Sequence, residues 1–99
     1  MRYEILDSDL RSMDEDGAYV SRRFSRAIHK AFRKVMSLIG SAADERDLRT
    51  FKSLRLEKLR GDREGQSSIR LNDQYRLILL FKHDGQHKHV VVVEIADYH

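Results

Sequence analysis

Four arginines and a terminal triplet supply the residue types from which a chemistry can be built. Arg60 precedes and Arg63 lies within a Gly61-Asp62-Arg63-Glu64-Gly65 turn, Arg70 and Arg76 stand on either side of Asn72-Asp73, and Asp97-Tyr98-His99 close the sequence. An imidazole can take up or deliver a proton, guanidinium groups can hold the charge of a pentacoordinate phosphorus, and a phenol ring can hold or stack a base. Together these are sufficient for metal-free cleavage of RNA, which must deprotonate a 2′-hydroxyl, stabilise the phosphorane and protonate the departing 5′-oxygen. They are not specific, because arginines on a sheet are commonly solvated or ion-paired and a terminal histidine is commonly just a chain end. The α-carboxylate beside the His99 ring favours imidazolium, which suits a proton donor.

Stepping from those residues to the elements that position them, the second half reads as a β-meander. Leu54, Leu56 and Leu59 precede the glycine-bounded turn, and Ser67 to Leu71 forms a strand. Asn72-Asp73 is turn chemistry, and Tyr75 to Lys82 is the strongest strand, apolar on both parities except Arg76 and Lys82. Asp84-Gly85 signals a hairpin, with Val90 to Ile95 returning antiparallel. Strict alternation along that last strand would put His99 on the face of Val91, Val93 and Ile95, so a bulge or fraying after Ile95 is expected. Tyr3 to Leu6 is a candidate further strand.

The first half is helical. Apolar residues at Val20, Phe24, Ala27, Ile28, Ala31, Phe32, Val35, Met36 and Ile39 predict one buried helix face, with Gly40 as its stop. Arg22, Arg26, Lys30 and Arg33, with Arg23 and Lys34 beside them, form the opposite face. That face reads either as solvated surface or as contact with ribosomal RNA or a protein partner. Ser41 to Phe51 predicts a short second helix opened by Asp44-Glu45 and anchored by Leu48 and Phe51, ending near Lys52. The fold class expected is α+β: N-terminal helices on one face of a small, mostly antiparallel sheet, in a single domain over residues 1–99.

Composition narrows the class. With 99 residues, 35% of them charged, and no cysteine, the chain can build one core, has no thiolate for nucleophilic attack or zinc, and fits a reducing compartment. Its apolar runs are too short for a membrane span and its N-terminus lacks the apolar stretch of a signal peptide, so a cytoplasmic location is expected. The net charge is only +3, yet residues 20–39 contain Arg and Lys without any acid while acids dominate the first seventeen residues. Such local positive potential attracts phosphate backbones and acidic proteins alike.

The ordered run Arg55-Leu56-Glu57-Lys58-Leu59-Arg60-Gly61-Asp62-Arg63-Glu64-Gly65-Gln66-Ser67-Ser68-Ile69-Arg70-Leu71-Asn72-Asp73-Gln74-Tyr75-Arg76, followed by a terminal Glu94-Ile95-Ala96-Asp97-Tyr98-His99, resembles the HigB toxins, also described as plasmid-maintenance killer proteins. The resemblance is close over the second half; the first half matches only in its helical pattern. It implies a RelE-like fold, cleavage of messenger RNA in the ribosomal A site, and neutralisation by a helix-turn-helix, HigA-like antitoxin through which the toxin associates indirectly with DNA. Under it, His99 falls on the catalytic histidine, Tyr98 and Asp97 on its neighbours, and Arg76 on the arginine after an aromatic strand residue. Arg60 takes a basic position often filled by lysine, so a forked donor replaces a point charge. Asn72 stands where some members carry another arginine; Arg70 or Arg63 would compensate.

Two other readings remain beside this one. A ParE-like toxin shares the general fold and acts by binding DNA gyrase without a catalytic histidine, against which the terminal Asp-Tyr-His speaks; an inactive interaction protein would use the basic helix as its docking surface. His83, His87 and His89 crowd one hairpin but have no carboxylate or thiolate at matching spacing, so no metal and no cofactor are expected. The Gly61–Gly65 turn lacks the lysine-hydroxyl ending of a nucleotide-phosphate loop.

Overall fold

A computed structural model describes residues 1–85 and 87–98. In chain order the elements are β1 (Arg2–Ile5), α1 (Ser8–Glu15), α2 (Arg26–Ser41), α3 (Glu45–Arg49), β2 (Glu57–Lys58), β3 (Ser67–Arg70), β4 (Tyr75–Asp84) and β5 (His87–Asp97), with single 3-10 turns at Lys52–Leu54 and Gly61–Arg63. The sheet order is β1-β5-β4-β3-β2, parallel between β1 and β5 and antiparallel elsewhere. The helices cover one face. Leu10, Met13, Ile28, Phe32, Val35, Met36, Ile39 and Leu48 meet Ile5, Ile69, Leu77, Leu79, Val90 and Val92 in one core.

The meander is as expected and β1 joins it, but β5 switches parity earlier than anticipated. Ile78 pairs with Glu94 and Leu79 with Val92, so Val93 is the extra residue of a bulge. The core side of β5 is therefore Val90 and Val92 before the bulge and Ile95 after it, not Val91, Val93 and Ile95. Pairing is regular from Ile95 to Asp97, so the bulge or fraying expected after Ile95 is not found up to Asp97, and its outcome for His99 lies outside the described residues.

The helices correct four further expectations. The long helix does not begin at Val20, which is 75% exposed; Ser25 caps it, accepting from the Ile28 amide at 3.3 Å. Arg22 and Arg23 thus precede the helix rather than riding on it. Gly40 does not stop α2, which runs on to Ser41, where the Met1 α-ammonium donates to the carbonyls of Ile39 (3.0 Å) and Gly40 (3.2 Å) and complements the negative end of the helix dipole. Phe51 is not an anchor, being 44% exposed, whereas Leu48 is fully buried and Asp44 caps α3 as its position suggested. A helix was not anticipated over the acidic segment: Asp7 accepts from the Asp9 and Leu10 amides and opens α1, whose apolar positions Leu10 and Met13 enter the core.

Residues 16–25 are held over α1 by side chains. The Asp9 carboxylate accepts from Tyr19, from Ser21 Oγ at 2.7 Å and from Arg23 Nε at 2.8 Å, while Arg23 Nη2 reaches Asp7 at 2.9 Å. Partial burial works against the Asp9 charge, but these donors outweigh it and bring its pKa down to about 2. The His29 ring accepts from the Ser21 amide at 2.9 Å through Nε2 and faces the Ser25 carbonyl at 2.8 Å through Nδ1, which assigns the Nδ1–H tautomer.

Candidate active site

The helix-free face of the sheet is set by pairing. Arg70 stands opposite Arg76, and Arg76 opposite Ala96; one step along, Ser68, Ile78 and Glu94 are opposite one another. Cross-strand partners share a face with Cα atoms about 5 Å apart, so Arg70 and Arg76 are neighbours on the face away from the helices. Guanidinium groups brought together this way repel one another unless anions or carbonyls intervene.

Carbonyls and a hydroxyl do so for Arg76. Its Nε donates to Ser68 Oγ at 2.7 Å and its Nη2 to the Arg55 carbonyl at 2.5 Å. Ser68 is fully buried, so its hydroxyl is a fixed acceptor. Arg55 holds a left-handed backbone at φ 45°, which L side chains rarely adopt, and in that conformation its carbonyl meets the Arg76 guanidinium. Arg70 pairs with Asp73, whose carboxyl is lowered below the usual range, first by that hydrogen bond, then by the Arg70 charge, and with a smaller contribution from Arg55.

The end of the chain arrives at the same end of the sheet. Tyr75 pairs with Asp97, the Asp97 carboxylate accepts from Gln74 Nε2 at 3.1 Å, and the Tyr98 amide donates to the Gln74 carbonyl at 2.7 Å. The Tyr98 ring is 48% exposed. His99 lies outside the described residues.

A family model described as the RelE-like toxin of the type II toxin-antitoxin system HigB matches residues 4–99. The chain belongs to this family. It is thus a toxin of a type II toxin–antitoxin system, and an antitoxin is its implied partner. No curated protein matches it. Among solved structures it is similar to a YoeB/ParE toxin from Agrobacterium tumefaciens, with a TM-score of 0.61 over the whole of both chains at 14% identity, a likeness of fold.

Against this HigB-like frame, the other arginines singled out in the sequence divide by what they touch. Arg63 is half-buried and already engaged, donating to Gln66 Oε1 at 3.0 Å and to Glu94 Oε2 at 3.1 Å, so its charge is neutralised on the sheet rather than offered. Arg60 is exposed, just before the 3-10 turn whose Gly61 has φ 66°. Asn72 is a turn residue: its Oδ1 accepts from the Gln74 amide at 2.9 Å and the Tyr75 amide at 2.7 Å, leaving no acceptor for a phosphate-site donor and only its NH₂ for a ligand. Arg33 is not on a solvated face, for it donates to the carbonyls of Met13 (3.0 Å), Asp16 (3.2 Å) and Gly17 (3.2 Å), clasping the end of α1. Arg22, Arg26 and Lys30 remain exposed.

Sequence reasoning passed over Ser68, Arg55 and Asp73, the three residues that touch the arginine pair. All three lie within the motif, but Ser68 and Arg55 act on Arg76 through a buried hydroxyl and a backbone carbonyl, and nothing in a sequence announces a left-handed arginine. The hairpin histidines sit elsewhere: His87 and His89 line a shallow cleft of about 340 Å³ with Arg2, Tyr3, Glu4, Asp84 and Lys88. No three metal-ligating side chains converge among the described residues. No helix among them is long and apolar enough to cross a membrane.

Proposed function

We propose that the chain is a ribosome-dependent endonuclease that cuts messenger RNA in the ribosomal A site, without a metal cofactor, and so inhibits translation. One observation carries this reading. Arg70 and Arg76 are paired on adjacent strands, and the strand that ends in Asp97 and Tyr98 pairs with the same stretch of β4, so guanidinium charge and the tail leading to His99 share one end of the sheet. In this reading the 2′-oxygen attacks the adjacent phosphorus, its proton passing to a base at the ribosomal site. The P–O5′ bond breaks, and the His99 imidazolium delivers a proton to the departing 5′-oxygen. The products are a 2′,3′-cyclic phosphate and a 5′-hydroxyl.

Arg76 stabilises the phosphorane. Its guanidinium is already oriented by Ser68 and Arg55, so little reorganisation is needed as charge develops. Tyr98 supplies an exposed ring for a base, and Asp97, tied to Gln74, orients the tail. Arg60 contributes an exposed charge for a phosphate, and the exposed Arg22, Arg26 and Lys30 meet ribosomal RNA or the antitoxin. The partner expected is a helix-turn-helix antitoxin of the HigA type, in the cytoplasm, through which the toxin reaches DNA.

Inducing the protein in cells and mapping 5′ ends on transcripts tests the reading. Cuts within translated frames support it; DNA breaks with intact transcripts point to gyrase poisoning instead. His99→Gln should abolish toxicity while folding and antitoxin binding persist, and full toxicity of that variant would refute the assigned acid. Purified protein should cut naked RNA poorly, because the ribosome supplies substrate geometry.

A further inference from the structure

The arginine cluster is unequally matched with acids. Arg70 and Arg76 meet at one end of the sheet by strand pairing, and the backbone of Arg55 stands beside them, its carbonyl accepting from the Arg76 guanidinium. Among the described residues, a single carboxylate forms an ion pair with any of the three: Asp73, on Arg70. Asp73 is not needed for the turn, since the Asn72 side chain caps both the Gln74 and Tyr75 amides. Its side chain is 95% exposed, so water competes for it and the pair is held weakly. A carboxylate that has no part in the turn and sits loosely on a guanidinium occupies the position of a phosphate oxygen.

We propose that Arg70 forms a second phosphate-binding site beside Arg76, occupied at rest by the Asp73 carboxylate, which the RNA backbone displaces. The proposal rests on the reading of RNA as substrate and adds to it a residue that opposes binding. Arg49, Lys52 and Arg55 line a shallow cleft of about 220 Å³ with Phe51 and Leu56, which adds basic residues near this end of the sheet. A phosphodiester seated on Arg70, the cross-strand neighbour of Arg76, would belong to a nucleotide adjoining the one held at Arg76. Asp73 sets how tightly that neighbour is gripped.

The test is binding of a short 2′-O-methyl oligoribonucleotide, which cannot be cleaved, to the full chain at several salt concentrations. Asp73→Asn keeps the turn and removes the competing charge. It should bind about 3-fold tighter, the gain expected from releasing one exposed ion pair. The slope of log affinity against log salt should steepen by ~0.7, the value for one more phosphate contact on a single strand. In an Arg70→Gln background the same substitution should change nothing, because the site it frees no longer exists. Equal affinity of Asp73→Asn and the parent chain at an unchanged melting temperature overturns the proposal. So does an undiminished gain in the Arg70→Gln background, which would mark a bulk charge effect, and so does a failure of all variants to bind the oligonucleotide. Because the probe is never cut, a chain inactive on programmed ribosomes would refute the nuclease reading while leaving this comparison readable.

Discussion

Two arginine-rich regions of the molecule are built on opposite principles. In the segment over α1, Arg23 faces two carboxylates, Asp7 and Asp9, with Tyr19 and Ser21 completing the shell, so its charge is neutralised and the loop is held down. At the end of the sheet, Asp73 on Arg70 is the one acid among the described residues that forms an ion pair with Arg55, Arg70 or Arg76, and all three contacts that orient Arg76 are to neutral oxygens, the Ser68 hydroxyl and the Ser68 and Arg55 carbonyls. Neutral acceptors fix a guanidinium without cancelling its charge. The first region uses arginine to hold a fold; the second keeps positive charge aimed and available for an anion.

That contrast breaks most visibly at Arg76. Arg76→Ala should lower cleavage on programmed ribosomes by about 100-fold or more, the cost of losing one transition-state donor, with the melting temperature little changed. A rate within a few-fold of the parent would remove Arg76 from the chemistry. Ser68→Ala leaves Nε without its 2.7 Å acceptor and should lower kcat on the order of 10-fold through misplacement, with RNA affinity nearly unchanged. Loss of affinity with kcat intact would mean that Ser68 shapes a binding surface instead.

Arg23→Ala should do the reverse. It lowers stability by about 1 kcal/mol, as expected for a half-exposed arginine bonded to carboxylates, and leaves cleavage unchanged. An Arg23→Ala variant that folds as well as the parent yet no longer cleaves would erase the distinction between the regions. The smallest effect concerns pH. Asp9 has a folded pKa of about 2 against an ordinary 3.8, so its contribution is fully present above the higher value and disappears as pH falls through the lower one. Acid unfolding curves should show this loss between about pH 4 and 2, and Asp9→Asn should flatten it.

Much of the meander was legible because its signals are local. Asn72 and Asp84-Gly85 turn the chain through their own side-chain and backbone preferences, and alternation assigns the strands between them. The start of α2 was not legible, because Val20 and Phe24 continue the helical spacing while the capping Ser25 and the pull of Asp9 and His29 on Ser21 end it. Helix α1 was hidden by its acids, which look like solvated polar sequence until Asp7 caps the helix and Asp9 gathers its donors. The engagement of Arg33 and Arg63 was equally invisible, since their partners are carbonyls and a carboxylate far along the chain.

By itself, the sequence determined the element types of the second half, the family, and the residue types available at one end of the sheet, because turn chemistry, periodicity and motif order act over a few residues. Only the tertiary structure decided which guanidiniums are neutralised and which remain available. The bulge at Val93, the left-handed Arg55 and the depth of Ser68 depend on strand register and packing between residues far apart in the chain. A charge is matched or left open according to what lies beside it in space.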